Sequence, residues 1–177
     1  MMRGVDELAV TVLGHDRPGI IADVAEVLSG LGLNLTDSTM TRLRGHFAMT
    51  LIYAGTGPKI ADVEAALATL TRDGSLLATV STVDAEAEPD APGAHYVLSV
   101  HGADRPGIVA SVARALAECG GNVTDLTTRL SGELYVLVAE VDLPAGTDVA
   151  PVVRRLESVA RALGVEVGLR PVEPDLL

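Results

Sequence analysis

The sequence predicts an α+β protein made of two βαββαβ domains in tandem, each an antiparallel sheet with two helices on one face. Three observations lead there. The chain matches itself when shifted by 88 residues. Each half runs through period-two and period-3.6 apolar patterns in the same order. An acidic stretch with two prolines and no apolar periodicity separates the halves.

The repeat is ungapped. GHDRPGIIADVAEVLSGLGLNLTDSTM, starting at Gly14, aligns with GADRPGIVASVARALAECGGNVTDLTT, starting at Gly102, with 15 identities in 27 positions. Self-similarity at this level means two copies of one structural unit. The break is DAEAEPDAPG, residues 84–93, whose composition is that of a solvated linker. The expected domains are therefore residues 1–83 and 94–177. Ten linker residues reach at most about 35 Å, so the domains can lie side by side or exchange partners across a dimer.

The elements follow in order. Leu8, Val10 and Val12 alternate along a first strand, as do Tyr96, Leu98 and Val100 in the second copy. Ile20, Ile21, Val24, Val27, Leu28 and Leu31 then recur at helical spacing, matched by Ile108, Val109, Val112, Leu116 and Cys119. Gly32 and Gly120 are the expected stops. Two strands come next, joined by tight turns at Arg44-Gly45 and Ser131-Gly132. Phe47, Met49, Leu51 and Tyr53 alternate on one face, whereas residues 134–141 are apolar on both faces and read as a strand covered on both sides. Second helices carry Val63, Leu67 and Leu70, and Val149, Val152, Val153, Leu156 and Leu163. Final strands are expected over residues 76–83 and 165–170. The order βαββαβ, twice, is the ferredoxin-like split βαβ arrangement.

Composition narrows the function. The formal net charge of −11 disfavours phosphate-bearing partners and anionic membrane surfaces, which need clustered Lys and Arg. A single cysteine, Cys119, excludes an intrachain disulfide and suits a reducing compartment. No apolar run approaches the ~20 residues needed to span a bilayer, and residues 1–6 carry no apolar signal core, so a cytoplasmic protein is expected.

The loop Asp-Arg-Pro-Gly-Ile, between first strand and first helix in both copies, is the leading functional candidate. Pro18 and Pro106 suit a first helical turn, and Asp16 and Asp104 can cap it. Gly19 and Gly107 keep the backbone open. Such a helix start presents free N–H groups and a positive dipole end that suit a carboxylate; equally, the loop can be only a well-made strand-to-helix turn. Asn34 and Asn122 open the second strand. Their amides can hold both polar groups of a zwitterion, or simply tolerate the backbone that follows a glycine.

These segments resemble the ACT domain, a small ligand-sensing module of amino-acid metabolism. The tandem arrangement resembles the glycine cleavage system transcriptional repressor family. The resemblance implies a non-enzymatic regulatory protein that binds an amino acid such as glycine or serine between paired ACT domains. The implied ligand residues are Asp16, Arg17, Pro18, Gly19, Ile20, Asn34 and Leu35, and Asp104, Arg105, Pro106, Gly107, Ile108, Asn122 and Val123. It implies a regulator or enzyme as protein partner and no cofactor. Each isolated sheet leaves two edges and one helix-free face, so the halves are expected to pair with each other or with a second chain, as a homodimer. His15 stands where the second copy has Ala103, so the two sites need not be equal.

Other readings are weaker. Arg44-Gly45-His46-Phe47-Ala48 resembles an RNA-recognition strand, but residues 8–13 offer no aromatic for stacking. His15, His46, His95 and His101 lack metal-ligand spacing. Asp16 and Asp37 could be imagined as an acid–base pair, but both recur in a repeat whose capping and strand roles explain them, and Cys119 lies on an apolar helical stripe. The remaining rival is a protein-interaction module that binds no ligand.

Overall fold

The computed structural model describes residues 6–55, 57, 59–83 and 93–172. The chain divides into two compact units, Met1–Ala87 and Glu88–Leu177. The stretch read as a linker, residues 84–93, lies outside the described residues except for Gly93, as do residues 1–5 of the N-terminus.

The first unit runs β1 (Asp6–His15), α1 (Ile20–Ser29), β2 (Asn34–Leu43), β3 (His46–Gly55), α2 (Ile60–Thr71) and β4 (Leu76–Val83). The second runs β5 (Ala94–Ala103), α3 (Ile108–Ala117), β6 (Asn122–Ser131), β7 (Leu134–Leu143), α4 (Val149–Leu163) and β8 (Val165–Pro171). The sheets are ordered β2-β3-β1-β4 and β6-β7-β5-β8, antiparallel throughout. This is the expected βαββαβ order in both halves.

Alternation decides which face is buried. Val10 pairs with Leu51 and Val12 with Met49, and all four point toward the helices and are buried. Val24 and Leu28 of α1 and Val63 and Leu67 of α2 close that core. In the second unit Leu98, Val100, Leu137 and Val141 meet Val112, Leu116, Val152 and Leu156. Apart from the Tyr53 phenol, no polar or charged side chain is buried among the described residues, and no buried side-chain N or O lacks a partner, so these largely aliphatic cores carry no desolvation penalty from unpaired polar groups.

Two expectations meet the structure differently. Residues 134–141 were read as covered on both faces. Leu137, Ala139 and Val141 are buried within the domain, whereas Val138 on the other face is 44% exposed, so nothing within the domain covers that face and the expected cover would have to come from the other domain or a second subunit. The turn read at Ser131-Gly132 is one residue later. Ser131 pairs with Leu134, leaving Gly132 and Glu133 as turn residues, with only Gly132 at positive φ (62°), as a type II′ turn requires. The corresponding Arg44-Gly45 turn has φ of 50° and 83°, the type I′ pattern.

Candidate functional site

The Asp-Arg-Pro-Gly loop sits where β1 gives way to α1. Its position is set from three sides. The His15 N–H donates to the Ser75 carbonyl at 3.3 Å, and the Asp16 N–H to the Gly45 carbonyl at 3.0 Å, which ties the loop to the β2–β3 turn. Just before it, Gly14 packs against the start of β4 so closely that a Cβ would collide with the Ser75 carbonyl.

Helix α1 begins at Ile20, not at the proline. Gly19 is the N-cap, in left-handed conformation with φ 85°. Pro18 therefore lies one residue outside the helix rather than in its first turn. Asp16 does not cap it either: no side chain does so among the described residues. The Asp23 N–H closes the first turn on the Gly19 carbonyl at 2.9 Å, which places the N–H groups of Ile20, Ile21 and Ala22 ahead of the hydrogen-bond ladder. Gly107 repeats this, with φ 91° and the Ser111 N–H on its carbonyl at 2.9 Å. A Cβ on Gly19 would meet nothing within 4 Å. Backbone conformation, not crowding, is what calls for glycine there.

The charged groups of the first loop are paired. Arg42 Nη1 of β2 lies 3.3 Å from Asp16 Oδ2, and Arg17 Nη2 lies 2.7 Å from Asp23 Oδ2. Asp73, near Arg17, has its carboxyl pKa lowered, first by the Ser75 hydroxyl and backbone N–H and least by Arg17. An open groove of about 540 Å3 runs along the loop, floored by Ile20, Ile21, Ala22, Ala25, Met40 and Phe47. Such a volume falls in the ~300–1,000 Å3 range of small-molecule sites.

The second loop is chemically different. Asp23 and Arg42 are replaced by Ser111 and Leu130, so neither ion pair can form. The Arg105 guanidinium instead lies over Gly164 at the C-terminus of α4, where a Cβ would touch Cζ at 3.5 Å. That helix end carries partial negative charge. Asp104 faces Tyr135, whose phenol pKa is raised by burial first and by Asp104 second.

The structure brings together five of the seven expected residues of the first copy: Asp16, Arg17, Pro18, Gly19 and Ile20 all line the groove. Asn34 and Leu35 lie elsewhere. Asn34 pairs with Ala54, which pairs with Glu7 at the start of β1, whereas the loop follows His15, paired with His46. Eight strand residues at ~3.3 Å each put these ends roughly 25 Å apart. Asn122 and Val123 are likewise at the end of β6 remote from residues 104–107, and Val123 packs partly against the core. Helix α1 returns the chain to the far end before β2 begins, so no one domain can offer both groups to one small ligand.

Sequence reasoning missed Arg42, Asp23 and Met40, and Ile21 and Val109, read as part of the buried helical stripes, are 42% and 40% exposed, Ile21 in the groove. The signal was present in the repeat: the two positions that pair with Asp16 and Arg17 both lose their charge in the second copy. His15 and His46 also meet, with ring centroids 5.0 Å apart, although no cluster of three metal-binding side chains occurs among the described residues. Cys119 packs partly buried against the second core.

A family model described as ACT domain matches the chain twice, over residues 6–81 and 95–170. The glycine cleavage system transcriptional repressor of Escherichia coli (strain K12) is 23% identical over 172 residues, spanning 93% of this chain and 90% of the relative. The solved structure of an unknown protein from Galdieria sulphuraria is similar with a TM-score of 0.81 at 27% identity, over 96% of this chain and 100% of that one. Two family matches over two sheets of the same βαββαβ order lead to one conclusion: the chain belongs to the ACT domain family and carries two copies in tandem.

Proposed function

We propose that this chain is a non-enzymatic regulatory protein that binds a small ligand, an amino acid such as glycine or serine, at interfaces of paired ACT domains. It relays occupancy to a partner regulator or enzyme in transcriptional or metabolic control. The observation that carries this reading is the loop that both copies share. In each, a left-handed glycine opens a helix with no side-chain cap, leaving three N–H groups for a carboxylate. Supporting it are the groove beside Gly19 and the similarity to a transcriptional repressor named for the glycine cleavage system.

Because Asn34 and Asn122 stand at the far ends of their own sheets, a ligand held by both loop and asparagine takes the two from different domains. A homodimer in the cytoplasm, without direct nucleic-acid contact, is the setting we propose. Coupling then follows from differential binding: a ligand that bridges two domains favours the pairing it fits, and the partner reads the difference.

A second reading is favoured by one feature. In the first loop Asp16 and Arg17 already have partners, as a protein-interaction module without a ligand would have. A melting screen across the common amino acids separates the two. A ligand at 100 times its Kd adds about 2.7 kcal/mol of stability. A reproducible upward shift with one amino acid supports the sensor; no shift with any of them supports the interaction module.

A further inference from the structure

The four helices sort their charge by domain. Helices α1 and α2 carry Asp23, Glu26, Asp62 and Glu64 and no basic residue. Helices α3 and α4 carry Arg114, Arg154, Arg155 and Arg161 against one acid, Glu157. The flanking residues temper this without reversing it: Lys59 and Arg72 bound α2, while Glu118 follows α3 and Asp148 precedes α4. All the helical charges except Asp23 are exposed, because Val24, Leu28, Val63 and Leu67, and their counterparts, turn the other helical faces to the cores.

Some of this charge is already used. Asp23 is paired with Arg17, and Arg155 with Glu118. Glu26, Asp62 and Glu64 on one layer, and Arg114, Arg154 and Arg161 on the other, form no ion pair among the described residues. Each layer also exposes an apolar residue at the same repeat position, Ile21 at 42% and Val109 at 40%. Each lies in the first turn of its helix, beside the charged residues of the layer.

We propose that the acidic helix layer of domain 1 docks on the basic helix layer of domain 2 in a second copy of this chain. Each copy offers one layer of each sign. The overall charge of −11 makes two copies repel at long range, so this local complementarity selects the docking face. The inference does not depend on any ligand.

The test is sedimentation equilibrium of the full chain across ionic strength, with charge reversals. At about 0.1 M salt the Debye length is about 10 Å, which screens the long-range repulsion but not charges in contact, and at about 1 M it is about 3 Å. The wild type is expected to dimerise at about 0.1 M salt and to weaken toward about 1 M. Arg154→Glu with Arg161→Glu should weaken the dimer about tenfold or more at about 0.1 M salt, and adding Glu26→Arg with Glu64→Arg should restore it. A wild type that is monomeric at every salt concentration overturns the proposal. So does a dimer indifferent to salt and reversal, or one that the compensating pair fails to restore. The wild-type salt dependence decides the matter even if a variant does not fold.

Discussion

Arg42 on β2 lies 3.3 Å from the carboxylate of Asp16, clasping the first Asp-Arg-Pro-Gly loop to the edge strand of its sheet. In the second copy Leu130 takes the arginine's place and the clasp is gone. Both groups are solvent-accessible, so the pair contributes little to stability, about 0–1 kcal/mol. Arg42→Leu should therefore lower the free energy of unfolding by no more than about 1 kcal/mol in urea titration. The same variant should alter ligand affinity at the first loop, because it leaves the Asp16 charge uncompensated beside the groove. A loss of several kcal/mol would show that the arginine holds the fold by packing rather than by its charge.

Gly19 and Gly107, at φ 85° and 91°, should resist substitution for a backbone reason. A side chain in left-handed conformation costs roughly 1–2 kcal/mol even where space is free. Gly19→Ala should destabilise by about that amount, and a β-branched residue by more. Valine at this position thus confounds folding with binding and makes a poor probe of the site. Equal stability of wild type and Gly19→Ala would mean that this glycine is not held left-handed.

The cores are built mostly of buried aliphatic side chains, so truncation should be costly. Leu28 is 0% and Leu116 1% exposed, at equivalent places in the two units. Leu28→Ala and Leu116→Ala should each lower stability by about 2–5 kcal/mol through loss of contacts and residual cavity. Chemical denaturation would measure this. A cost below about 1 kcal/mol would contradict the packing described.

Alkaline pH should loosen the fold. Burial raises the phenol pKa of Tyr53, and burial, then Asp104, raises that of Tyr135. A raised folded-state pKa means that the native chain holds its phenol protons more tightly than the unfolded chain does. The resulting stability is complete below the unfolded value near 10 and is lost as pH rises through the folded value. Asp104→Asn should bring the phenolate absorbance transition of Tyr135 to lower pH; an unchanged transition would contradict the proximity of the two groups.

Much of the fold was legible in the sequence because the pattern is local. Leu8, Val10 and Val12 alternate at strand period, Val24 and Leu28 recur at helical period, and the repeat states everything twice. The loop's place between β1 and α1 was legible for the same reason. What escaped depends on register and direction. Asp16 and Arg42 are 26 residues apart and meet only because a two-residue turn fixes how β2 pairs with β3. Asn34 looks close to Gly19 along the chain, yet α1 carries the backbone to the other end of the sheet. Pro18 resembles a first-turn proline, but the left-handed Gly19 delays the helix by two residues.

The central claim is that the Pro-Gly-Ile helix starts receive an amino acid, and an amide-resolved NMR titration tests it most directly. Glycine and serine would be added to the full chain while each backbone N–H is followed. Saturable shifts are expected, centred on the amides of Ile20, Ile21 and Ala22, or of Ile108, Val109 and Ala110, at the first or second loop. Saturable shifts centred elsewhere, or none with any common amino acid, would contradict it.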